Sequence, residues 1–431
     1  MNRRSAVVCV WVCVVVASVF AAEPYPLRDA VECTVRDGLP NVFAKLKAGK
    51  EVKIAYLGGS ITAQPGWRPK TLAWFREQYP KAKVDEINAA IGGTGSDLGV
   101  FRLQQDVLQH KPDLLFVEFA VNDGGAAPER IHKAMEGIVR QTWQADPTTD
   151  ICYVYTLTHR MLGDLQGGKY PRAASAMEAL ADHYGIPSIH MGLEVARMEK
   201  AGKLAFKAEK PKTDEEKAAL AGKVLFSKDG VHPYPDTGHQ LYLEAVARSM
   251  DKIKGVGKPG PHALPKPFTA DNWEKAKLVP LDKATLSAGW KKLDPETDNP
   301  AKRFAKRMPV MWKVSKPGET ITFRFKGTQV GIYDLVGPDC GQITVTLDDR
   351  KPSVRRRFDA YCSYHRLSKL TIAADLPDEV HTVTIEVHPD QPDKAKILHD
   401  HRLPDFEKNP KKYDDTAWYA GAVMLIGEVA K

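Results

Sequence analysis

The sequence predicts an α/β fold, a three-layer α/β/α sandwich around a parallel sheet, followed by an antiparallel β-sandwich domain. Strand-like and helix-like segments alternate up to residue 254, a Gly- and Pro-dense stretch follows, and short alternating strand-like runs come after it. A chain of 431 residues exceeds the usual domain size of about 100–200 residues, so two folded units are expected. A hydrophobic content of 43% and a charged content of 27% are typical of globular proteins.

The first 22 residues are predicted to be a secretory signal peptide. Arg3 and Arg4 precede an apolar stretch at 6–19, and Ala21-Ala22 offers small residues for cleavage. The apolar stretch is shorter than the ~20 residues that a membrane span needs, which disfavours the alternative of an uncleaved anchor. We therefore expect a secreted or periplasmic protein without stable membrane insertion.

Residues 23–254 are predicted to form the catalytic domain, in which strands and helices alternate. Strands are expected at 52–57, 84–88, 114–121, 151–156 and 187–190. Helices are expected at 69–79, 98–110, 131–145 and 237–253. Alternation at these lengths implies parallel strands joined by helical crossovers. Reactive side chains in such sheets gather beyond the carboxyl ends of the strands.

Residues 255–270 are predicted to be a linker, because their Gly and Pro residues cannot continue a helix or a sheet. Residues 271–431 are predicted to form a β-sandwich accessory domain. Its strands are expected at 320–325, 329–334, 342–347, 369–372, 382–387 and 423–427, all short alternating runs bounded by turn residues.

Charge argues against a nucleic-acid partner. The net charge of +8 is mild for this length, and much of it lies in Lys- and Pro-rich segments such as 207–217, which indicate solvated surface. A Lys- and Glu-rich insertion at 200–223 is expected to be a loop near the site. No nucleic-acid motif is present.

The cysteines and histidines outside the main motifs predict no metal. Four cysteines remain after the signal peptide, and Cys340 with Cys362 is the favoured disulfide pair, whereas Cys152 could be a buried thiol. His399-Asp400-His401 resembles a metal fragment, but it lies in a charged segment without further ligands. His159 and His190 end predicted strands, where they could border a pocket or be satisfied within the fold.

Two Gly-rich segments follow the first two strands. Gly58-Gly59-Ser60 can turn sharply and expose Ser60 at the end of its strand, although Gly-Gly-Ser is also a common turn. The segment around Gly92-Gly93 can aim backbone N–H groups inward because no Cβ interferes. The alternative of a phosphate cradle is disfavoured, since no Lys follows in the required position.

Two polar segments complete the set. Asn122, at the end of a buried strand, could donate its side-chain N–H to a developing oxyanion, or Asn122-Asp123 could simply form a turn. Asp229 and His232, three residues apart, can hydrogen-bond through the imidazole and leave its other nitrogen to accept a serine proton. Alone, this pair could equally be a hydrogen bond that stabilises a loop, or part of a metal site.

The four segments, taken in order, resemble the SGNH/GDSL hydrolases over residues 50–253. Ser60, Gly93, Asn122 and His232 match the four name-giving residues, and Asp229 matches the triad acid; Gly59 is the one departure in the Gly-Asp-Ser block. The resemblance implies a flavodoxin-like catalytic domain that hydrolyses acyl esters. Ser60 would be the nucleophile, His232 its general base, and the Ser60 and Gly93 amides with Asn122 the oxyanion hole. It implies no metal or organic cofactor.

The ester is harder to predict. Short polar loops favour a small acyl group such as acetyl, and an exported esterase with an appended β-sandwich resembles carbohydrate esterases. Trp67 and Arg68, just after the nucleophile, are predicted to bind substrate, with packing as the alternative for Trp67. Acylated carbohydrate is therefore the leading substrate. A general acyl-esterase or lipase-like enzyme remains an alternative, as does a glycan-binding protein with a vestigial site. The β-sandwich could itself bind glycan through aromatics such as Trp312, Tyr333 or Tyr361, with core packing as the alternative for them.

Overall fold

The computed structural model of this protein describes residues 25–430. The predicted signal peptide, residues 1–22, lies outside the described residues. Among the residues described, no helix has both the length and the apolar character that crossing a membrane requires.

The first half of the described chain is built on a six-stranded sheet in the order β1-β6-β5-β4-β2-β3. Strands β2 to β6 run parallel, whereas the short β1 is antiparallel to β6. The strands of this half, including a separate parallel pair β7-β8, are β1 (Cys33–Thr34), β2 (Glu51–Gly58), β3 (Lys83–Asn88), β4 (Leu114–Glu118), β5 (Asp150–Tyr155), β6 (Ser188–His190), β7 (Leu204–Lys207) and β8 (Val224–Ser227).

Helices cover both faces of this sheet. They are α1 (Pro40–Lys47), α2 (Ser60–Ala63), α3 (Trp67–Gln78), α4 (Ser96–Asp106), α5 (Pro128–Ala145), α6 (Leu162–Gln166), α7 (Arg172–Tyr184), α8 (Leu193–Lys200), α9 (Asp214–Ala219) and α10 (Gly238–Ile253). One apolar core joins the sheet to α1, α3, α8 and α10, and a second joins its other face to α4, α5 and α7. The predicted three-layer α/β/α architecture is confirmed.

The insertion at 200–223 is more ordered than the sequence suggested. It contains β7 and α9 and leads into β8, which pairs in parallel with β7. Helix α9 begins with a capping box, in which the Thr213 side chain accepts from the backbone N–H of Glu216 and Glu216 reaches back. This excursion ends at Ser227, two residues before Asp229.

The second half is an antiparallel β domain, as predicted. Its ten strands belong to one connected sheet: β9 (Ala276–Pro280), β10 (Thr285–Leu286), β11 (Lys291–Lys292), β12 (Trp312–Val314), β13 (Thr320–Val336), β14 (Gln342–Leu347), β15 (Ser353–Arg356), β16 (Arg366–Ala373), β17 (Glu379–Val387) and β18 (Trp418–Val429). Short helices α11 (Asn299–Phe304), α12 (Lys394–Ile397) and α13 (Leu403–Lys408) lie between strands.

Strand β13 merges two predicted strands into one and changes its inward face midway. Ile321, Phe323 and Phe325 point into the core of the β domain in its first part, whereas Val330 and Ile332 do so in its second part. The switch from odd to even positions coincides with a register shift between Gly327 and Gln329. Such a bulge moves every later side chain to the opposite face.

The two halves share a core. Tyr333 and Leu335, on the outer face of β13, join the apolar cluster that contains α4 and α5. Residues 255–270 run along the first half without regular structure, and Phe268 and Thr269 donate backbone N–H groups to Glu136. The division of the chain into 23–254, 255–270 and 271–431 as separate folding units stays a prediction.

The predicted pairing of Cys340 with Cys362 is wrong for this structure. All four cysteines among the described residues are free thiols. Cys340 is buried in the core between the two halves, while Cys362 belongs to a small separate cluster with Phe358 and Tyr413. Cys152 is fully buried in β5, which agrees with its interpretation as a buried thiol.

Candidate active site

Three of the predicted site residues form a hydrogen-bonded chain. Ser60 Oγ lies 2.9 Å from His232 Nε2, and His232 Nδ1 lies 2.7 Å from Asp229 Oδ2. With the proton on Nδ1, the imidazole donates to Asp229 and accepts from the Ser60 hydroxyl. This tautomer can take a proton from serine and later return it to a leaving group.

The loop between β8 and α10 holds Asp229 in place. Its Oδ1 accepts from the backbone N–H groups of Val231 and His232, at 2.9 and 2.8 Å, and from Ser227 Oγ at 3.0 Å. Partial burial alone would raise the pKa of Asp229, but the hydrogen bonds from His232 and the backbone outweigh it and hold that pKa well below its usual range. The carboxylate therefore stays charged and can stabilise an imidazolium.

Ser60 begins the short α2, directly after the carboxyl end of β2. The turn before it requires glycine, because a Cβ built on Gly59 would lie 1.9 Å from Asn122 Oδ1. The side chain of Asn122 thus packs directly against the backbone that precedes Ser60. This contact leaves no room for a Cβ at position 59 and holds the Asn122 side chain against the turn that carries Ser60.

The Gly-rich loop after β3 also lies close to Ser60. A Cβ on Gly92 would lie 3.5 Å from the Ser60 Cβ, so this backbone approaches the serine at ordinary van der Waals distance. Gly93 has φ of +75°, a left-handed conformation that favours glycine. The structure thus places the Gly92 backbone beside Ser60 and the Asn122 side chain beside Gly59. The oxyanion hole of Ser60, Gly93 and Asn122 stays a prediction.

A buried carboxyl group lies beneath the turn. Glu118, the last residue of β4, accepts from Thr62 Oγ1 at 2.9 Å and from Thr156 Oγ1 at 2.7 Å. Burial raises the pKa of Glu118 to about 7, against hydrogen bonds from Thr156, Thr62 and the Gly59 backbone. Sequence reasoning missed this residue, although a Glu at the end of an otherwise apolar strand is a visible signal.

A second buried carboxyl group fixes the Gly-rich loop. Asp123 accepts from the backbone N–H of Ser96 at 3.1 Å, and burial raises its pKa to about 6. The neighbouring Asp97 pairs with Arg130 at 3.1 Å and with Lys369 of the β domain. The second half of the chain therefore contacts the helix that follows this loop.

The predicted substrate role of Trp67 and Arg68 is not supported by their positions. Trp67 is fully buried against Tyr56 and Phe116, and its Nε1 donates to Thr62 Oγ1 at 3.2 Å. Arg68 is also buried, and its Nε donates to the Thr62 carbonyl. Both side chains therefore hold the turn that carries Ser60, and neither lines an open surface where a substrate could bind.

His239 also supports this turn, and sequence reasoning missed it. Its Nδ1 accepts from the Trp67 backbone N–H at 3.1 Å, and its Nε2 lies 3.1 Å from Gln64 Oε1. Burial lowers the pKa of His239 to about 4, so the ring is neutral at neutral pH. Its helical spacing with the buried Tyr242 and Val246 was the available signal.

A cleft of about 750 Å³ opens beside the loop that carries Asp229. It is lined by segments that follow β4 and β5, by Lys207 and by residues 229–231. Exposed charged side chains on its wall are Arg160, Asp164, Arg172 and Lys207. His159 lies on this wall as well, whereas His190 is buried. We call this feature the charged cleft.

A group with metal-ligand side chains lies in the β domain, away from these loops. Asp339, Cys340 and His365 bring one ligand atom each within 4.8 Å of one another. The Asp339 carboxylate already accepts from His365 Nε2 at 2.7 Å and from the Tyr419 hydroxyl at 2.5 Å. These hydrogen bonds satisfy the group as a structural network.

Comparisons with known proteins agree with this architecture. Residues 56–241 match the GDSL-like lipase/acylhydrolase family. No curated protein is similar enough to count as a match.

Two similar solved structures span nearly the whole chain. One is a two-domain esterase active on acetylated mannans, crystallised with mannopentaose: the TM-score is 0.70 at 21% identity, over 94% of this chain and 99% of that one. Another structure of a two-domain esterase active on acetylated mannans gives 0.69 at 21%, over 92% and 97%. At this identity the likeness establishes a shared two-domain fold. The match to the GDSL-like lipase/acylhydrolase family lies within the α/β half, from β2 into α10.

Proposed function

We propose that this protein is an exported serine esterase that removes O-acyl groups, most simply acetyl, from carbohydrates. The observation that carries the proposal is the continuous chain from Ser60 Oγ through His232 to Asp229, at the carboxyl edge of the parallel sheet. A hydroxyl aligned with an imidazole, which is itself oriented by a carboxylate, is the arrangement that activates serine for acyl transfer.

In the proposed mechanism, Ser60 Oγ attacks the ester carbonyl carbon while its proton passes to His232 Nε2. The carbonyl oxygen becomes an oxyanion near the Ser60 and Gly93 N–H groups and the Asn122 amide. The intermediate collapses, and the sugar oxygen leaves with the proton from Nε2. Water then attacks the acyl-enzyme and gives a proton to His232. The second intermediate collapses, Ser60 Oγ leaves with that proton from Nε2, and the carboxylic acid is released.

Three features support a carbohydrate ester. The charged cleft next to the site is open and carries charged side chains that can hydrogen-bond to hydroxyl groups, which suits a carbohydrate better than a long acyl group. The similar two-domain esterase is active on acetylated mannans. The N-terminal segment has the pattern of a signal peptide, which would bring the protein to extracellular polysaccharide.

The test measures acid release from p-nitrophenyl acetate, from longer p-nitrophenyl esters and from acetylated polysaccharides. We expect Ser60→Ala to reduce hydrolysis at least about 10⁴-fold and Asp229→Asn to reduce it by about 10⁴, because the amide favours the wrong tautomer. Ser353→Ala, a serine in the β domain, is the matched control and should keep full activity.

Two outcomes would contradict this proposal. Full hydrolysis by Ser60→Ala would remove the serine mechanism. A preference for acyl chains longer than six carbons, with no acetate released from polysaccharides, would retain the mechanism and replace the carbohydrate with a lipid-like ester.

A further inference from the structure

The charged cleft is lined by cationic side chains, and the segments that carry them contact the loop that holds His232. His159 donates its backbone N–H to the Gly230 carbonyl at 2.9 Å, which places the neighbouring Arg160 next to that loop. Lys207 pairs in register with Ser227, and its Cδ lies 3.5 Å from where a Cβ on Gly230 would be. The segments that carry these two cations therefore contact the segment that leads into and includes the Asp229 loop.

Neither cation is neutralised by the protein. Arg160 and Lys207 form no salt bridge within residues 25–430, although nearby lysines do, such as Lys228 with Glu209 at 3.3 Å. Both side chains are exposed and line the same cleft. Unpaired cations in a concave site raise the local concentration of anions.

The cleft wall carries three cations and two carboxylates, so its net charge is positive. Arg172 donates to the carbonyl oxygens of Gly124 and Ala126, at 3.1 and 3.0 Å, and adds a third positive charge to the wall. The carboxylate of Asp229 is already engaged by His232 and the backbone. Asp164 is the remaining acid on the wall, and no cation among the described residues lies within salt-bridge distance of it. It can accept hydrogen bonds from sugar hydroxyls.

We propose that the charged cleft selects an anionic glycan, so that the acetyl group removed belongs to a polysaccharide with carboxylate or sulfate groups. Arg160 and Lys207 would bind the anionic group of a sugar next to the acetylated one. This proposal rests on the proposed esterase function and names its substrate class. A guanidinium suits carboxylate and sulfate oxygens because its N–H groups can bind two of them together.

The experiment compares neutral and anionic polysaccharides at equal acetylation. Acetylated xylan and acetylated glucuronoxylan form the carboxylate pair, while acetylated dextran and acetylated dextran sulfate form the sulfate pair. The readout is the ratio of kcat/KM on the anionic member to that on the neutral member. The double variant Arg160→Gln, Lys207→Gln is compared with Arg350→Gln, Lys50→Gln, which removes the same charge at exposed positions outside the cleft.

We expect the wild type to prefer the anionic member of at least one pair, and that pair identifies the anion. In the double variant this ratio should be about tenfold lower than in the wild type. Adding about 0.5 M NaCl should also lower the ratio of the wild type. The control should keep the ratio. Equal kcat/KM on the anionic and neutral members of both pairs would overturn the proposal, as would an unchanged ratio in the double variant. Cleavage of p-nitrophenyl acetate with no acetate released from any polysaccharide would overturn it as well. Failure to cleave p-nitrophenyl acetate would instead overturn the esterase function itself.

Discussion

Residues 92–97 and 122–123 are held by buried groups, whereas the charged cleft beside the Asp229 loop is open and its cations are partly unpaired. We call the first region the oxyanion side. There, Asp123 fixes the start of α4, and Asp97 is held by Arg130 and by Lys369 from the β domain. In the charged cleft, by contrast, Arg160 and Lys207 face solvent. The rigid side suits the chemistry common to all esters, and the open side suits recognition of one substrate.

The strongest way to break the oxyanion side is Asn122→Ala. If Asn122 donates to the oxyanion, kcat should fall about 10²–10³-fold while KM changes little, because the interaction forms only in the transition state. Steady-state kinetics on p-nitrophenyl acetate, with a thermal melt to confirm folding, measures this. An unchanged kcat would show that the Asn122 side chain does not donate a hydrogen bond to the oxyanion.

Gly59→Ala should act through the same residue. The new Cβ would overlap Asn122 Oδ1, so the amide must move, and we expect kcat to fall about 10–100-fold. Gly163→Ala is the matched control, since a Cβ there meets no atom within 4 Å in the described structure. A double-mutant cycle sharpens the test: in an Asn122→Ala background, Gly59→Ala should cost little more. Full additivity would refute the coupling.

Glu118→Gln should change the pH dependence of stability. The pKa of Glu118 is raised from 4.5 to about 7, so its favourable contribution is complete below pH 4.5 and is lost as pH rises through about 7. Wild-type stability should thus fall by about 1–3 kcal/mol relative to the variant between those limits. Urea unfolding of both proteins across this pH range measures the difference in stability. Asp123 titrates in both proteins, so its contribution cancels in the comparison. Parallel curves would contradict the assignment.

The smallest expected effect is that of Lys369→Met. Asp97 keeps Arg130, so the free energy of unfolding should fall by only about 0.5–1 kcal/mol, and kcat by no more than about threefold. Lys277→Met removes a pair with the exposed Glu428 and should cost less. Thermal melts and kinetics compare the two variants. A large loss of kcat for Lys369→Met alone would show that the β domain directly sets the geometry of the oxyanion side.

The sequence was most informative where function depends on the ends of strands. Ser60, Gly93 and Asn122 follow three parallel strands, and sheet geometry then brings their segments together, so short motifs sufficed to place them. Strand Gln342–Leu347 was also predicted with its observed limits, because turn residues bound it on both sides.

Contacts between distant segments were harder to predict. Trp67 follows the serine closely, but its helical spacing with Thr71 and Phe75 marks the buried face of α3, and this periodicity outweighs its nearness to the site. The two predicted strands at 320–325 and 329–334 are one strand, since a bulge keeps the pairing going where alternation breaks. Lys369 could not have been placed beside Asp97 from local pattern alone, because that contact exists only once both halves have folded.

The change of inward face along β13 has a consequence for how the molecule melts. Val330 and Ile332 belong to the core of the β domain, and Tyr333 and Leu335, on the same strand, belong to the core shared with α4 and α5. Neither core can come apart without disturbing this strand. We therefore expect the two halves to unfold together, in one calorimetric transition. On that expectation, a strand from the other half of the chain sets the heat tolerance of the Ser60 site.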